Sequence, residues 1–184
     1  MIINLGDKSK AVAYKTNGIS NCLELCKLIL KKYGLTSYGS SSNVFKLMYE
    51  DKGVLKHYGT NIRENYKKAI ECIDRHLEKG RPIIVGVNYI LNRGYNEGAT
   101  DHFVVIYGKG YDNDVKKTFY VYYEVGKTDI NEVYNEEKNR FYFIDEKTPY
   151  LCDYEASIGN KSRFDVTQIR PNDGVLNGTV NHKQ

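Results

Sequence analysis

The sequence contains no long hydrophobic run, and this absence excludes a membrane-spanning helix. No stretch approaches the roughly 18 consecutive apolar residues that such a helix needs. The amino terminus, MIINLGDKSKAVAYK, also lacks the continuous apolar core of a secretory signal peptide. We therefore expect a protein that is made in the cytoplasm and does not span a membrane. If it acts outside the producing cell, we expect a specialised secretion system to export it to the periplasm or to a target cell.

Cysteine and histidine are both scarce, with four residues of each in the chain. Four dispersed cysteines are too few for a disulfide scaffold, and the spacing of Cys22 and Cys26 is not that of a CxxC redox pair. No zinc-finger spacing is present. We expect no cofactor and no metal. A metal site built on Cys22, Cys26 and His102 is the weaker alternative, because it lacks an obvious fourth ligand.

The sequence has no strong excess of charge of one sign. It carries 27 Lys and Arg against 23 Asp and Glu, a formal net charge of +4, and its basic residues are scattered. No aromatic RNA-binding signature and no basic arm is present, so we do not expect nucleic acid as a partner. The mild positive charge permits an acidic partner such as an anionic polymer.

Two segments in the first half of the chain show the periodicity of amphipathic helices. In SNCLELCKLILKKYG, apolar residues recur every three to four positions, as on the core-facing side of a helix. Asn21 and Glu24 resemble a capping box at its start, and Gly34 marks its end. TNIRENYKKAIECIDRHLEKG predicts a longer helix, and NVFKLMYEDKG predicts a short one between the two.

The second half of the chain changes to runs of β-branched and aromatic residues. PIIVGVNY, HFVVIYG, TFYVYYEV and RFYFID each predict a strand, and RFDVTQIRP predicts one more. Helices that precede a series of strands indicate an α+β fold, with N-terminal helices packed on an antiparallel β-sheet. The length suits a single domain over residues 1–184.

Two chemically interesting residues are predicted at the ends of these elements. Cys22 follows the cap of the first helix, where unpaired N–H groups and the helix dipole stabilise a thiolate. His102 begins the HFVVIYG strand, where its side chain can still reach a cleft. Cys22 could equally be a small core residue, and His102 a strand-end histidine with satisfied hydrogen bonds. If the helix and the sheet bring them together, they form the nucleophile and base of a cysteine hydrolase.

Four segments occur in the order found in a known superfamily. NCLELCKLILKKYG, LEKGRPIIVGVNY, DHFVVIYGKGYDND and FYVYYEVG resemble successive blocks of the papain-like cysteine peptidase superfamily. The branch that includes bacteriocin-leader peptidases and bacterial cell-wall cysteine amidases is the most similar. The resemblance implies a papain-like fold, with Cys22 as nucleophile, His102 as general base and Glu124 as the residue that orients the imidazole.

The sequence departs from the superfamily pattern at three positions. Asp101 precedes the histidine and Leu23 follows the cysteine, where the superfamily commonly has glycine. The orienting residue is normally Asp or Asn, so Glu124 is a longer substitute. Asp145, at the end of another predicted strand, is the alternative third residue.

The oxyanion donor of the superfamily is usually a Gln several residues before the cysteine. The nearest amides in this sequence are Asn17 and Asn21, and Asn17 is the expected counterpart. The backbone N–H of Cys22 can supply a second donor without any side chain.

The expected function is hydrolysis of amide or peptide bonds by a cysteine peptidase or amidase. The stem peptide of bacterial peptidoglycan is the first expected substrate, since small size and mild basicity suit a secreted antibacterial effector; an immunity or inhibitor protein is then an expected partner. The alternatives are a protein or peptide substrate, a toxin that deamidates or crosslinks, and a non-catalytic papain-like binding module. The departures at Leu23, Asp101 and Glu124 keep the last two open.

The remaining cysteines and histidines are expected to be structural. Cys26, Cys72 and Cys152 are predicted to be core or otherwise inert residues. His57, His76 and His182 are predicted at the surface, on a loop, a charged helix face and the tail.

Overall fold

The structure is a computed structural model that describes residues 2–89, 99–153 and 163–176 of the chain. The helices in these ranges are α1 (Cys22–Lys32), α2 (Ile62–Glu78) and α3 (Ile130–Val133). The strands are β1 (Ile3–Asn4), β2 (Phe45–Lys46), β3 (Met48–Asp51), β4 (Val54–His57), β5 (Ile83–Asn88), β6 (His102–Asp112), β7 (Lys117–Tyr123), β8 (Arg140–Ile144), β9 (Tyr150–Cys152) and β10 (Asp165–Arg170). Within the described ranges, no helix has the length and apolar character to cross a membrane.

Helix α1 begins and ends where its sequence signals predict. The Asn21 side chain accepts hydrogen bonds from the N–H groups of Leu23 and Glu24, at 3.0 and 3.3 Å. Such a cap satisfies donors that have no partner inside the helix and contributes about 1 kcal/mol. Gly34 follows the helix with a φ of +77°, which only glycine adopts without strain. The prediction of this helix is confirmed, and so is that of α2.

The short helix predicted from NVFKLMYEDKG is wrong. This segment forms β2 and β3 instead, and β3 pairs with β4 in a separate two-stranded sheet. The connection between β3 and β4 is Lys52–Gly53, both with positive φ, of 50° and 78°. Two left-handed residues in a two-residue loop match the twist of a hairpin and prevent a helix from continuing.

The predicted papain-like arrangement, with N-terminal helices packed on an antiparallel sheet, is also wrong. Each neighbouring pair in the order β6-β5-β10-β9-β8-β7 is antiparallel, and β7 pairs again with β6. The six strands therefore close into a barrel, to which β1 and β2 add at β6 and β10. The three-residue β9, which the sequence pattern did not reveal, joins β8 to β10 and completes the closure.

The barrel separates two apolar clusters. One takes buried side chains from all six barrel strands, such as Val104, Phe141 and Leu151, and apolar residues of α2 join it. The other lies on the outer side of β5, β6 and β7, where Leu25 and Ile29 of α1 pack. Helix α1 is therefore held against the barrel wall by its own apolar stripe.

Two of the three histidines predicted at the surface are not exposed. His76 is fully buried in α2, where Nε2 accepts a hydrogen bond from the N–H of Asn172 at 2.9 Å. Its Nδ1 lies 2.8 Å from the carbonyl oxygen of Cys72, to which it donates. His57 is half-buried, and His182 lies outside the described residues. Cys26, Cys72 and Cys152 are all buried, as predicted.

Barrel closure makes β9 important for stability, and this can be tested with Leu151→Ala. Leu151 is 1% exposed in the barrel interior, so we expect the substitution to lower the free energy of unfolding by about 2–4 kcal/mol. Leu176→Ala is the control, because Leu176 is 83% exposed and should change stability by less than about 0.5 kcal/mol. Urea unfolding of both variants measures the difference. Equal, small effects would mean that the carboxy-terminal region does not complete a barrel.

Candidate active site

Three side chains from distant parts of the sequence meet at one end of the barrel. His102 is the first residue of β6, Glu124 directly follows β7, and Cys22 is the first residue of α1. Because β6 and β7 are antiparallel neighbours, the start of one lies beside the end of the other. Helix α1 packs along β6, and this brings its first turn to the same end.

The Cys22 sulfur lies beside the His102 ring in a partly buried position. Burial alone would raise the pKa of this thiol. Interaction with His102 and with the backbone N–H groups of Phe103 and Leu23 outweighs burial, and the pKa of Cys22 is lowered. A positive environment at a helix N-terminus is the usual setting of a reactive thiolate.

The backbone N–H of Cys22 is not used by the helix cap. Asn21 binds the next two N–H groups, those of Leu23 and Glu24. Among the described residues, none accepts a hydrogen bond from the N–H of Cys22. This donor is therefore free to bind an oxyanion that forms at a carbon attacked by the adjacent sulfur.

His102 is held through one of its two ring nitrogens. Its Nε2 forms a short hydrogen bond with Oε1 of Glu124. An ionised carboxylate only accepts, so Nε2 carries the proton of this bond. Nδ1 is thus the nitrogen left to exchange a proton with Cys22. The two side chains are 12% and 7% exposed, which keeps competing water away from their contact.

The electrostatic interactions in this site favour the charged form of His102. Burial would lower the pKa of His102, but hydrogen bonding to Cys22 and Glu124 and their negative charges raise it to about 10. Because the pKa of the imidazole is raised above the lowered pKa of the thiol, transfer of the thiol proton to His102 is favoured and gives a thiolate–imidazolium pair.

Glu124 is fixed by the turn that follows β7. Its Oε1 also accepts a hydrogen bond from the N–H of Gly126 at 2.9 Å, and its own N–H donates to the carbonyl of Val133 at 2.9 Å. A Cβ at Gly126 would lie 3.1 Å from Oε1 of Glu124 and 3.2 Å from the His102 ring. Gly126 is therefore a positioning residue that sequence reasoning missed, although it stands two residues after the predicted carboxylate.

Asn17, the predicted oxyanion donor, lies apart from this cluster in the described structure. It is exposed in a 3-10 turn with a left-handed φ of 52°. It lines a groove beside Leu28 and Lys31, which are in the second and third turns of α1 rather than the first. No hydrogen bond joins it to Cys22 within the described residues, and its role remains a prediction.

The alternative third residue and the residue before the histidine have other partners. Asp145 forms an exposed ion pair with Arg63 at 2.8 Å, so Glu124 is the carboxylate that the fold brings to His102. Asp101 accepts hydrogen bonds from Asn88 and from the N–H of Tyr89, at 3.2 and 3.0 Å. These bonds tie the start of β6 to the end of β5.

The alternative metal site has little support in the geometry. Cys26 is fully buried, and burial raises its pKa well above the usual range. In the described ranges, no group of three His, Cys, Asp or Glu side chains is arranged to hold a metal ion.

Comparisons of the chain with protein-family models, with curated proteins and with solved structures gave no match. The interpretation of the site therefore depends on its geometry and chemistry.

The pH dependence of Cys22 alkylation tests the ion pair. Only the thiolate reacts with iodoacetamide, so a lowered thiol pKa should move the rise of the alkylation rate to lower pH than for an ordinary thiol. An ordinary thiol at pH 6 would be on the order of 10²–10³ slower than its plateau, and Cys22 should fall short of its plateau by less. As the pH rises through about 10, His102 loses its proton and the rate should change again. Peptide mapping by mass spectrometry measures the rate at each cysteine.

Internal controls accompany this experiment. Cys72 and Cys152 are buried and their pKa values are raised to about 11 and 12, so they should stay unlabelled at pH 6. His102→Gln should move the Cys22 profile to higher pH. A Cys22 rate equal to that of free cysteine at every pH would contradict the ion pair.

Gly126→Ala tests the support of the carboxylate. The added methyl group should displace Glu124 or the His102 ring by a few tenths of an ångström. We expect alkylation of Cys22 at pH 6 to slow by about three- to tenfold, because small misplacements of reacting groups are costly. Lys127→Ala, the exposed neighbour, is the control and should leave the rate unchanged. The same rate in both variants would show that Gly126 has no positioning role.

Proposed function

We propose that this protein is a cysteine hydrolase that cleaves amide bonds. The observation that carries the proposal is the Cys22 thiol at the start of α1, beside an imidazole whose other nitrogen is bound to the buried Glu124 carboxylate. Nucleophile, base and orienting group are the three parts of a nucleophilic triad. Such a triad is identified by the roles of its residues and not by a particular fold.

The proposed reaction begins from the thiolate–imidazolium pair. The Cys22 sulfur attacks the amide carbon, and the carbonyl oxygen gains negative charge that the Cys22 N–H binds. As the C–N bond breaks, the His102 imidazolium gives its proton to the departing amine, which leaves a thioester. Neutral His102 then takes a proton from water, whose oxygen attacks the thioester. Collapse releases the carboxylic acid and restores the thiolate and the imidazolium.

Glu124 acts in this scheme through His102. Its negative charge stabilises the imidazolium, and its bond to Nε2 keeps Nδ1 directed toward Cys22. Glu124 is thus a positioning residue, and the loss of its charge should affect turnover more than substrate affinity.

The substrate that we propose is the stem peptide of bacterial peptidoglycan. The net charge of +4 favours an anionic cell-wall polymer. In this proposal the protein acts in a periplasm or a target cell, and an immunity protein would protect the producer. The cysteine chemistry itself is independent of this choice.

Hydrolysis of purified muropeptides tests the function. The wild-type protein should release a new amine and a new carboxylate, detected by mass spectrometry, and Cys22→Ala should release neither. Glu124→Gln should lower kcat by at least about a hundredfold, because the imidazolium loses its counter-charge. Asp145→Asn is the matched control, since this carboxylate pairs with Arg63 at the surface, and it should leave kcat unchanged.

The possible outcomes distinguish an error in the proposed substrate from an error in the proposed reaction. Cleavage of a peptide library without cleavage of muropeptides would replace the proposed substrate and retain the hydrolase. Release of ammonia from glutamine side chains would indicate deamidation instead. If the protein neither cleaves muropeptides or peptides nor releases ammonia, and Cys22 is unreactive, the proposal that it is an enzyme is refuted.

A further inference from the structure

A cavity of about 160 Å³ that opens to solvent lies beside β10, near the start of β6. Its polar lining includes Lys46 of β2, Gln168 and Arg170 of β10, and Thr100 just before β6. No Asp or Glu among the described residues lines it. The Arg170 guanidinium in this lining favours an anionic ligand.

Arg170 is unusual among the charged residues that line this cavity. It is 7% exposed, and its Nε donates to Oε1 of Gln168 at 3.1 Å. Within the described residues, no carboxylate pairs with its guanidinium and neither terminal amino group of the fork has an acceptor. A buried charge without a counter-ion is costly, and here it lies where a ligand could supply one.

The guanidinium is held in one orientation. The Gln168 amide that accepts from Nε of Arg170 donates its own N–H to Oγ1 of Thr100 at 2.9 Å. The ring of Phe103 lies under the guanidinium carbon at 4.9 Å. The backbone at Gly39 also packs closely, since a Cβ there would be 2.8 Å from Cβ of Arg170. The fork is therefore ready for a bidentate acceptor.

One residue, Phe103, connects Arg170 to the Cys22 site. The Phe103 ring supports the guanidinium of Arg170, and the Phe103 N–H interacts with the Cys22 sulfur. Arg170 also acts electrostatically on Cys26, one helical turn after Cys22. The Arg170 guanidinium and the Cys22 sulfur are therefore both neighbours of Phe103.

We propose that this cavity is a substrate-binding subsite for a carboxylate group of the peptide, bound by the two terminal amino groups of Arg170. The identification of the ligand as substrate rests on the proposed hydrolase function. The binding of a carboxylate does not, because Arg170 takes no part in the chemistry of Cys22.

Nuclear magnetic resonance titration of the full-length Cys22→Ala protein tests this subsite without catalysis. N-acetylglycine provides a peptide carboxylate, and N-acetylglycinamide is its neutral counterpart. We expect the carboxylate alone to shift the backbone signals of Thr100 and Gln168 and the Nε–H signal of Arg170. Arg170→Met should weaken N-acetylglycine binding by roughly tenfold or more, whereas Arg63→Met, at a surface ion pair, should not.

Each result decides the proposal. Equal shifts with both compounds, or none at the cavity with N-acetylglycine, would overturn it. Binding of inorganic phosphate without N-acetylglycine would replace the carboxylate by a phosphoryl group. If Arg170→Met does not fold, the comparison of the two compounds on the Cys22→Ala protein decides instead. Failure here with a reactive Cys22 refutes the subsite alone, and binding here with an unreactive Cys22 refutes the hydrolase alone.

Discussion

The hydrogen bond between His102 and Glu124 is the interaction on which the candidate site depends. A buried imidazole would ordinarily lose its proton, because burial penalises the charged form. Hydrogen bonding to Cys22 and to the Glu124 carboxylate, together with their negative charges, reverses that preference and raises the pKa of His102. An imidazolium at this place in turn lowers the pKa of the Cys22 thiol.

The closed barrel supplies the surroundings that this ion pair needs. Closure places β10 beside β5, and with it Phe164 packs its ring edge-on to His102, with centroids 6.1 Å apart. The same closure brings Arg170 over Phe103. An open sheet of the four strands β5 to β8 would leave this side of His102 in water, where charge–charge effects are several times weaker. Barrel closure therefore strengthens the charge–charge interactions around His102.

Local signals in the sequence were sufficient for individual elements and for the positions of Cys22 and His102 at the starts of two of them. The cap at Asn21, the apolar stripe of α1 and the aromatic runs of β6 and β7 depend on neighbours in sequence, and these elements formed as predicted. Closure could not be predicted in this way, because it depends on pairing between β10 and β5 and on the three-residue β9. The hairpin at Lys52 and Gly53 was missed because lysine gives no sign that it will take positive φ. Gly126 and Arg170 do not belong to any sequence motif. Their roles follow from contacts that form only in the folded chain, so they could not be predicted from the sequence.

The distribution of charge around the site constrains how a peptide can bind. The thiolate and the Glu124 carboxylate are two negative groups, and His102 supplies one positive group between them. In the proposed reaction, an anionic part of the substrate would be repelled from this cluster, while the neutral amide would not be. Arg170 is the neighbouring positive group, and Phe103 contacts both its guanidinium and the Cys22 sulfur. If both proposals hold, a peptide with a carboxylate close to its scissile amide has one favourable orientation, in which the carboxylate lies over β10 and the amide over the first turn of α1.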